Sequence, residues 1–289
     1  MRPRTWLWIL GTLVLAAAMH YAARFPWDDT WSTLEDAGWM LLAAAGGFNL
    51  LSLVTKAWAW QLLVRPQAPV RFRTAQAATF AGAAVNSIGV AMSGEAARVH
   101  LLGAWDGIAP GVAIRSIAAS RLVEAAALGL FLLALLAGIN TEHAWRLLGG
   151  GLVLLCGALG LLRWVPWLRP SRGLATPVAL DAASWGFQWA TYHFAIVSTG
   201  AAVTPTLSAL ALLLSNLGGA LRLTPANIGV VQGAVVLGLR PAGVPASHAV
   251  AAGLALQAIQ VLPVLAIGLA VLGRHGVRQA VRRRAVEAA

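Results

Sequence analysis

Glu95, Arg98, Arg115, Arg121 and Glu124 stand in a run, 74–138, that is otherwise apolar enough to lie in lipid. A charge at the centre of a bilayer costs about 2.5 to 3.5 kcal/mol on insertion scales. Left against lipid, Glu95, Arg98, Arg121 and Glu124 together would cost on the order of 10 kcal/mol, comparable to the stability of a whole domain. Their spacing offers compensation, because Glu95 with Arg98 and Arg121 with Glu124 are i,i+3 neighbours of opposite sign on one helix face. Two ion pairs are therefore expected, facing a protein interior or a water-filled cavity. Hydrolytic chemistry is not what these residues offer. The chain holds no Ser/His/Asp spacing and no His-Glu-x-x-His motif, and carboxylates held in ion pairs make poor general acids, so it is not expected to be an enzyme. His20, His100, His143, His193, His248 and His275 form no i,i+4 pair and flank no carboxylate at ligand spacing. Neither a metal site nor a cofactor is expected. Cys156, the only cysteine, lies in an apolar run, where it is expected to be a small packing residue.

What positions such charges is a set of membrane helices. The chain of 289 residues is 59% hydrophobic and 11% charged, with a mean hydropathy of +0.73, which describes a polytopic helical membrane protein rather than a soluble globule. Its formal net charge of +11 does not point to nucleic acid, because most arginines fall in short clusters at the ends of apolar runs, as the positive-inside rule requires. After Arg2 and Arg4, an apolar run at 5–23 is long enough to span, and a cleaved leader is the alternative reading of it. Asp28, Asp29, Glu35 and Asp36 with Trp27, Trp31 and Trp39 read as an outer acidic loop with interfacial aromatics. A span at about 37–64 returns to Arg65, Arg71 and Arg73, and Lys56 near its inner end is expected to snorkel to the interface.

Residues 74–92 are small and interrupted at Asn86 and Gly89, and the run back over 94–105 is too short to cross. This predicts a re-entrant hairpin, since irregular backbone at membrane depth survives only when buried in protein or lining a cavity. Full spans at about 109–138, 144–162 and 177–198 follow. The pattern then recurs: 206–221 and 227–239 are again short, and a last span at about 246–273 ends in Arg274, Arg278, Arg282, Arg283 and Arg284. The last span must run inward while 109–138 runs outward, so the two hairpins enter from opposite faces. The expected fold is thus an all-α integral membrane protein of about six transmembrane helices plus two re-entrant helical hairpins arranged as inverted repeats. It forms one polytopic domain, with repeat 1 at about 37–138, repeat 2 at about 177–273 and a basic cytoplasmic tail at 274–289. An offset of 136 residues places Arg121 on Gln257 and Glu124 on Gln260, and one gap brings Glu95 onto Gln232. Such repeats place a substrate site at the midplane, between the interrupted segments.

Asn86 followed by Gly94-Glu95-x-x-Arg98, then Arg121-Leu-x-Glu124, then Pro225-x-x-x-Gly229-x-x-Gln232 resembles the ordered motif set of the lysylphosphatidylglycerol synthase transmembrane family, also called flippase-like domain proteins. The resemblance covers about 37–273. Three positions depart from the family pattern: Ser120 stands where an acid is common, Gln232 where Glu is usual, and Gln257 near a frequent Arg. The second-half site is therefore expected to be altered or silent. The resemblance implies lipid translocation between leaflets, without the soluble aminoacyl-transferase domain of some relatives, for which no room is expected after the basic tail. A guanidinium forms bidentate hydrogen bonds with phosphate, which suits Arg98, Arg121 and Arg115 to an anionic phospholipid or polyprenyl-phosphate headgroup. Glu95 and Glu124 are expected to orient them or only to tie helices together. Asn86, Asn227, Gln232 and Gln257 are the polar hairpin positions. The expected partners are membrane lipids, with nucleic acid excluded and a homodimer left open. The expected location is the bacterial cytoplasmic (inner) membrane, with both termini cytoplasmic. A non-transporting partner of an envelope lipid or glycan enzyme is the alternative function.

Overall fold

A computed structural model of the chain describes residues 20, 23–88, 92–136, 144–162, 164, 173–220, 224 and 227–287. Most of the first apolar run, the turn at Asn140, Glu142 and His143, the loop with Arg163, Arg169 and Arg172, and Pro225 lie outside them. The described residues form α-helices: α1 (Trp27–Glu35), α2 (Trp39–Val64), α3 (Phe72–Ile88), α4 (Ser93–Asp106), α5 (Pro110–Leu136), α6 (Ala144–Leu162), α7 (Ala175–Ser198), α8 (Pro205–Ala220), α9 (Val230–Leu239) and α10 (Ala246–Glu287). No strand occurs among them.

Three helices are long and apolar enough to cross a membrane: α2, α5 as far as Ala134, and α10 as far as Arg274. With the shorter apolar helices in α6, α8 and α9, they make this a multi-pass membrane protein. Helix α7 is 24 residues long, but Asp181, Gln188 and His193 lower its apolar character. The acidic stretch after Pro26, expected as a loop, is helical in α1. Asp28 and Asp29 sit in its first turn, where carboxylates favour the positive end of the helix dipole. Thr30 Oγ1 donates to Ser247 O at 3.4 Å and so holds α1 on α10. Cys156 is exposed on α6, on the outside of the helix assembly rather than packed within it, since an apolar run in a membrane protein can face lipid as readily as a core.

The tightest helix pair is α2 with α7. Gly38 N–H donates to Ser198 O at 2.8 Å, Thr191 Oγ1 to Ala45 O at 3.3 Å and Ser184 Oγ to Ser52 O at 3.1 Å. These contacts recur every seven residues on both helices and in opposite senses, so α2 and α7 run antiparallel along a seam of small side chains. Ala45, Ser184 and Thr191 are wholly buried there, and small or hydroxyl residues are what let helices approach where water supplies no drive.

Helices α3 and α4 fold back as the short hairpin expected of 74–105. A Cβ on Gly94 would collide with the Gly82 carbonyl and the Asn86 side chain, so only glycine lets the two backbones meet. The base of the hairpin is clamped by Arg71, whose Nε donates to Asp106 Oδ1 at 2.8 Å and whose guanidinium also reaches Trp105 O at 3.0 Å. Helices α8 and α9 form a second short pair. Gly107 ends α4 at φ +65° and Gly243 ends the turn after α9 at φ +67°, a left-handed conformation that glycine adopts without a Cβ penalty. Both these glycines and the starts of α5 and α10, Pro110 and Ala246, are separated by 136 residues. The packing is not fully matched, however: α3 lies along α10, whereas α8 does not lie along α5 in the same way. A cavity opens on that side.

Gly94→Ala is expected to cost roughly 1–3 kcal/mol, the range for forced overpacking, seen as a clear fall in melting temperature in detergent. Gly111→Ala, with open space at its Cβ, should change stability by less than about 1 kcal/mol. Equal melting temperatures for the two variants would contradict the close approach in the hairpin.

Candidate functional site

One hydrogen-bonded chain of charges connects three helices. Lys56 Nζ on α2 donates to Glu124 Oε1 on α5 at 2.5 Å. The other oxygen of Glu124 accepts from Arg121 Nη1 at 2.8 Å, one turn earlier on α5. Arg121 Nη2 in turn pairs with Glu95 Oε1 on α4. The second Glu95 oxygen accepts from Asn86 Nδ2 at 3.4 Å, and Asn86 Oδ1 accepts the Gly94 N–H at 2.9 Å, which caps the first turn of α4. Glu95 is 5% exposed.

The expected Arg121–Glu124 pair forms, whereas the expected Glu95–Arg98 pair does not. Glu95 turns across to α5 because Arg121 gives its carboxylate an interhelical partner. Arg98 turns the other way: its guanidinium carbon lies 3.9 Å from the centroid of the Trp60 ring, and it enters no ion pair among the described residues. Trp60 is 1% exposed and its Nε1–H donates to Ser116 Oγ at 3.1 Å, so the ring is fixed and presents its negative face to the cation. The stem of Arg98 fills the space that a Cβ on Gly82 would need. Its Nε is buried and has no acceptor.

Lys56 does not snorkel. Its ammonium lies between Glu124 and the face of Trp185, 5.7 Å from the ring centroid, because a carboxylate within reach compensates it better than a distant interface. Arg115 also departs from expectation. It is exposed, donates through Nε to Gly111 O at 3.1 Å, and lines none of the cavities around Arg121, since its position on α5 points it away from the cluster.

Three cavities meet at Arg121. The first, of about 230 Å³, is walled by Lys56, Trp60, Asn86, Glu95, Arg98, Glu124 and Asp181, among others. The second, of about 480 Å³, is lined by Glu124 together with uncharged polar and aromatic side chains, among them Gln188, Tyr192, Asn216, Asn227 and Gln260. The third is an apolar groove of about 760 Å³ between α4 and α5, bounded by Met92, Val99, Ile114 and Ile117. The Arg121 side chain, 51% exposed, borders all three.

Of the second-half positions singled out in the sequence, Asn227 lines the amide cavity and holds a left-handed backbone, φ +56°. Gln232 is a structural residue: its Oε1 accepts the Gly229 N–H at 2.7 Å and its Nε2 donates to Gly253 O at 3.4 Å, which joins the start of α9 to α10. Gln257 is half-buried on α10 outside the three cavities, and Gln260, nearly one turn on, takes the cavity position instead. The sequence reading missed Asp181, which is 4% exposed in the wall of the first cavity. It is the only acid in α7, so the argument applied to Glu95, that a charge in an apolar span needs a reason, would have found it.

A double-mutant cycle read by melting temperature separates the observed from the expected pairing. Glu95→Gln with Arg121→Gln should couple by about 1 kcal/mol or more, and Glu95→Gln with Arg98→Gln by less than about 0.5 kcal/mol. The reverse order would restore the i,i+3 pair.

No curated protein matches the chain. The family model described as the lysylphosphatidylglycerol synthase TM region matches residues 8–172 and 162–268. With the family model covering most of the chain, this multi-pass protein, whose Glu95, Arg98, Arg121 and Glu124 share one cavity wall, belongs to the lysylphosphatidylglycerol synthase transmembrane family and has a role connected with membrane lipid.

Proposed function

We propose that the protein moves an anionic lipid, a phospholipid or a polyprenyl-phosphate-linked lipid, between the leaflets of the bacterial inner membrane, without covalent chemistry. The observation that carries this reading is the position of Arg121, whose guanidinium borders a charged cavity, an amide-lined cavity and an apolar groove at once. An amphiphile needs these surfaces side by side. Phosphate pairs with the guanidinium fork, the remainder of the headgroup meets the amides Gln188, Asn216, Asn227 and Gln260, and the hydrocarbon lies against Val99, Ile114 and Ile117. Glu95 and Glu124 hold the fork from two sides, and Arg98 supplies a second cation from the Trp60 ring.

The topology that suits this task has six spans and two re-entrant hairpins in inverted repeats, with both termini cytoplasmic. The antiparallel α2–α7 seam and the matched glycine turns at Gly107 and Gly243 support it. Inverted repeats bring two broken helical segments to the midplane from opposite faces, where a headgroup must pass. In single-cysteine variants, Gly107→Cys and Arg240→Cys should then label from opposite sides of the membrane. Labelling from the same side would end the inverted-repeat reading.

Function is tested in proteoliposomes with fluorescent lipids of varied headgroup. Wild-type protein should move phosphatidylglycerol between leaflets. Arg121→Lys keeps the charge but loses the fork and should slow movement by about tenfold or more, the equivalent of about 1.4 kcal/mol of charge-assisted hydrogen bonding. Arg115→Ala, outside the cavities, should stay within about twofold of wild type. Melting temperature and size-exclusion profile must match across the set. A folded wild-type protein that moves no lipid of any headgroup would favour the non-transporting partner instead.

A further inference from the structure

The charged cavity holds one carboxylate that the ion-pair chain does not use. Asp181 on α7 is 4% exposed, its Oδ2 has no hydrogen-bond partner, and it shares the cavity wall with Lys56, Arg98, Arg121, Glu95 and Glu124. Lys56 is committed to Glu124 at 2.5 Å, and Arg121 is committed to Glu95 and Glu124. One turn along α7, Trp185 Nε1–H is also buried without an acceptor. The other helices packed against α7 add no charge here: α8 has no charged side chain, and the charged residues of α10 lie towards its ends, at His248 and from Arg274 onward. A buried carboxylate without a committed cation gains proton affinity, because its ionised form is desolvated without full compensation.

We propose that Asp181 is a proton-binding site coupled to the anionic headgroup, so that one proton accompanies each lipid; the transport half of this statement rests on the function proposed above. The charge balance of the cavity gives the coupling its sign. With Asp181 protonated, Lys56, Arg98 and Arg121 outnumber Glu95 and Glu124 by one, and the cavity attracts an anion. With Asp181 ionised, the cavity is neutral and the attraction is lost. The anion raises the proton affinity of Asp181 and the proton raises the affinity for the anion by the same factor, as linkage requires. The proton comes from water when the headgroup enters and returns to water when it leaves; only the O–H bond at Asp181 forms and breaks.

The test uses the full-length chain in detergent, with phosphatidylglycerol as the anionic probe and phosphatidylcholine as the probe of zero net charge. In weakly buffered solution at a pH where free Asp181 is ionised, wild type should take up protons, up to about one per phosphatidylglycerol bound, and none with phosphatidylcholine. Its affinity for phosphatidylglycerol should fall as pH rises, by up to about tenfold per unit. Asp181→Asn, neutral at every pH, should bind phosphatidylglycerol with a flat pH profile and no proton uptake. Asp181→Ser gives the same comparison if the amide variant folds poorly. The infrared difference between phosphatidylglycerol-bound and lipid-free protein, at a pH where free Asp181 is ionised, should show a protonated carboxyl band in wild type that Asp181→Asn lacks. Absence of that band from wild type, no proton uptake by wild type, or an unchanged pH profile in Asp181→Asn would each overturn the proposal. Proton-linked binding by a protein that moves no lipid would instead overturn the transport reading and leave the proton site standing.

Discussion

Charges placed at membrane depth must find their partners inside the protein, and in this fold that requirement ties the helices together. Lys56, Glu124, Arg121, Glu95 and Asn86 come from α2, α5, α4 and α3, and their contacts form one connected chain. Removing one member of a buried pair leaves the other uncompensated, at about 3–5 kcal/mol. The chain therefore fixes relative helix positions more firmly than apolar packing, which lipid tails would satisfy equally well. The apolar clusters flank it. One gathers Trp60, Val64, Leu101 and Ile117, and another Trp185, Ile196, Leu212 and Leu256.

Within that chain, burial is uneven in a way that matters for function. The Glu95 and Glu124 side chains are 7% and 25% exposed, whereas that of Arg121 is 51% exposed. The carboxylates are thus the fixed part of the cluster and the guanidinium the part open to a ligand. An arginine offers five N–H donors, and its two carboxylate partners here are in hydrogen-bond contact with Nη1 and Nη2. Donor capacity remains for a phosphate oxygen, as the headgroup role proposed for Arg121 requires.

Much of the fold was legible because its signals are local. Apolar length marks α2, α5 and α10, small residues with Asn86 and Gly94 mark the first hairpin, and arginine clusters mark the helix ends. The pairing of the site was less legible. Spacing within one helix favours Glu95 with Arg98, but Arg121, from a neighbouring helix, wins the carboxylate, and no sequence pattern records how two helices will be rotated against each other. Lys56 was misplaced for the same reason, since its partner lies 68 residues away. Trp60 was invisible as a cation platform, because an aromatic in an apolar span looks like any other core residue until Arg98 is seen over its face. Arg115 is the opposite case: its type suits a phosphate, but on α5 it lies outside the three cavities around Arg121.

The second half shows what happens when such a lattice is given up. On the reading of two repeats offset by 136 residues, Tyr192 stands for Lys56, Gln257 for Arg121 and Gln260 for Glu124, while Gln232, one position beyond that offset, stands for Glu95. All four charges are replaced by neutral polar groups. Partial replacement would strand a charge at membrane depth, so the changes form a physically consistent set only together. Their consequence is visible around α5: the cavity with Tyr192 and Gln260 in its wall is open and polar but nearly uncharged, its charges confined to Arg121 and Glu124 at the edge shared with the first half. This arrangement gathers charged side chains on one side of the cavities and neutral hydrogen-bonding groups on the other. On the proposed lipid-binding function, the two halves differ in what they ask of a headgroup, the first a charge and the second a set of hydrogen-bonding groups.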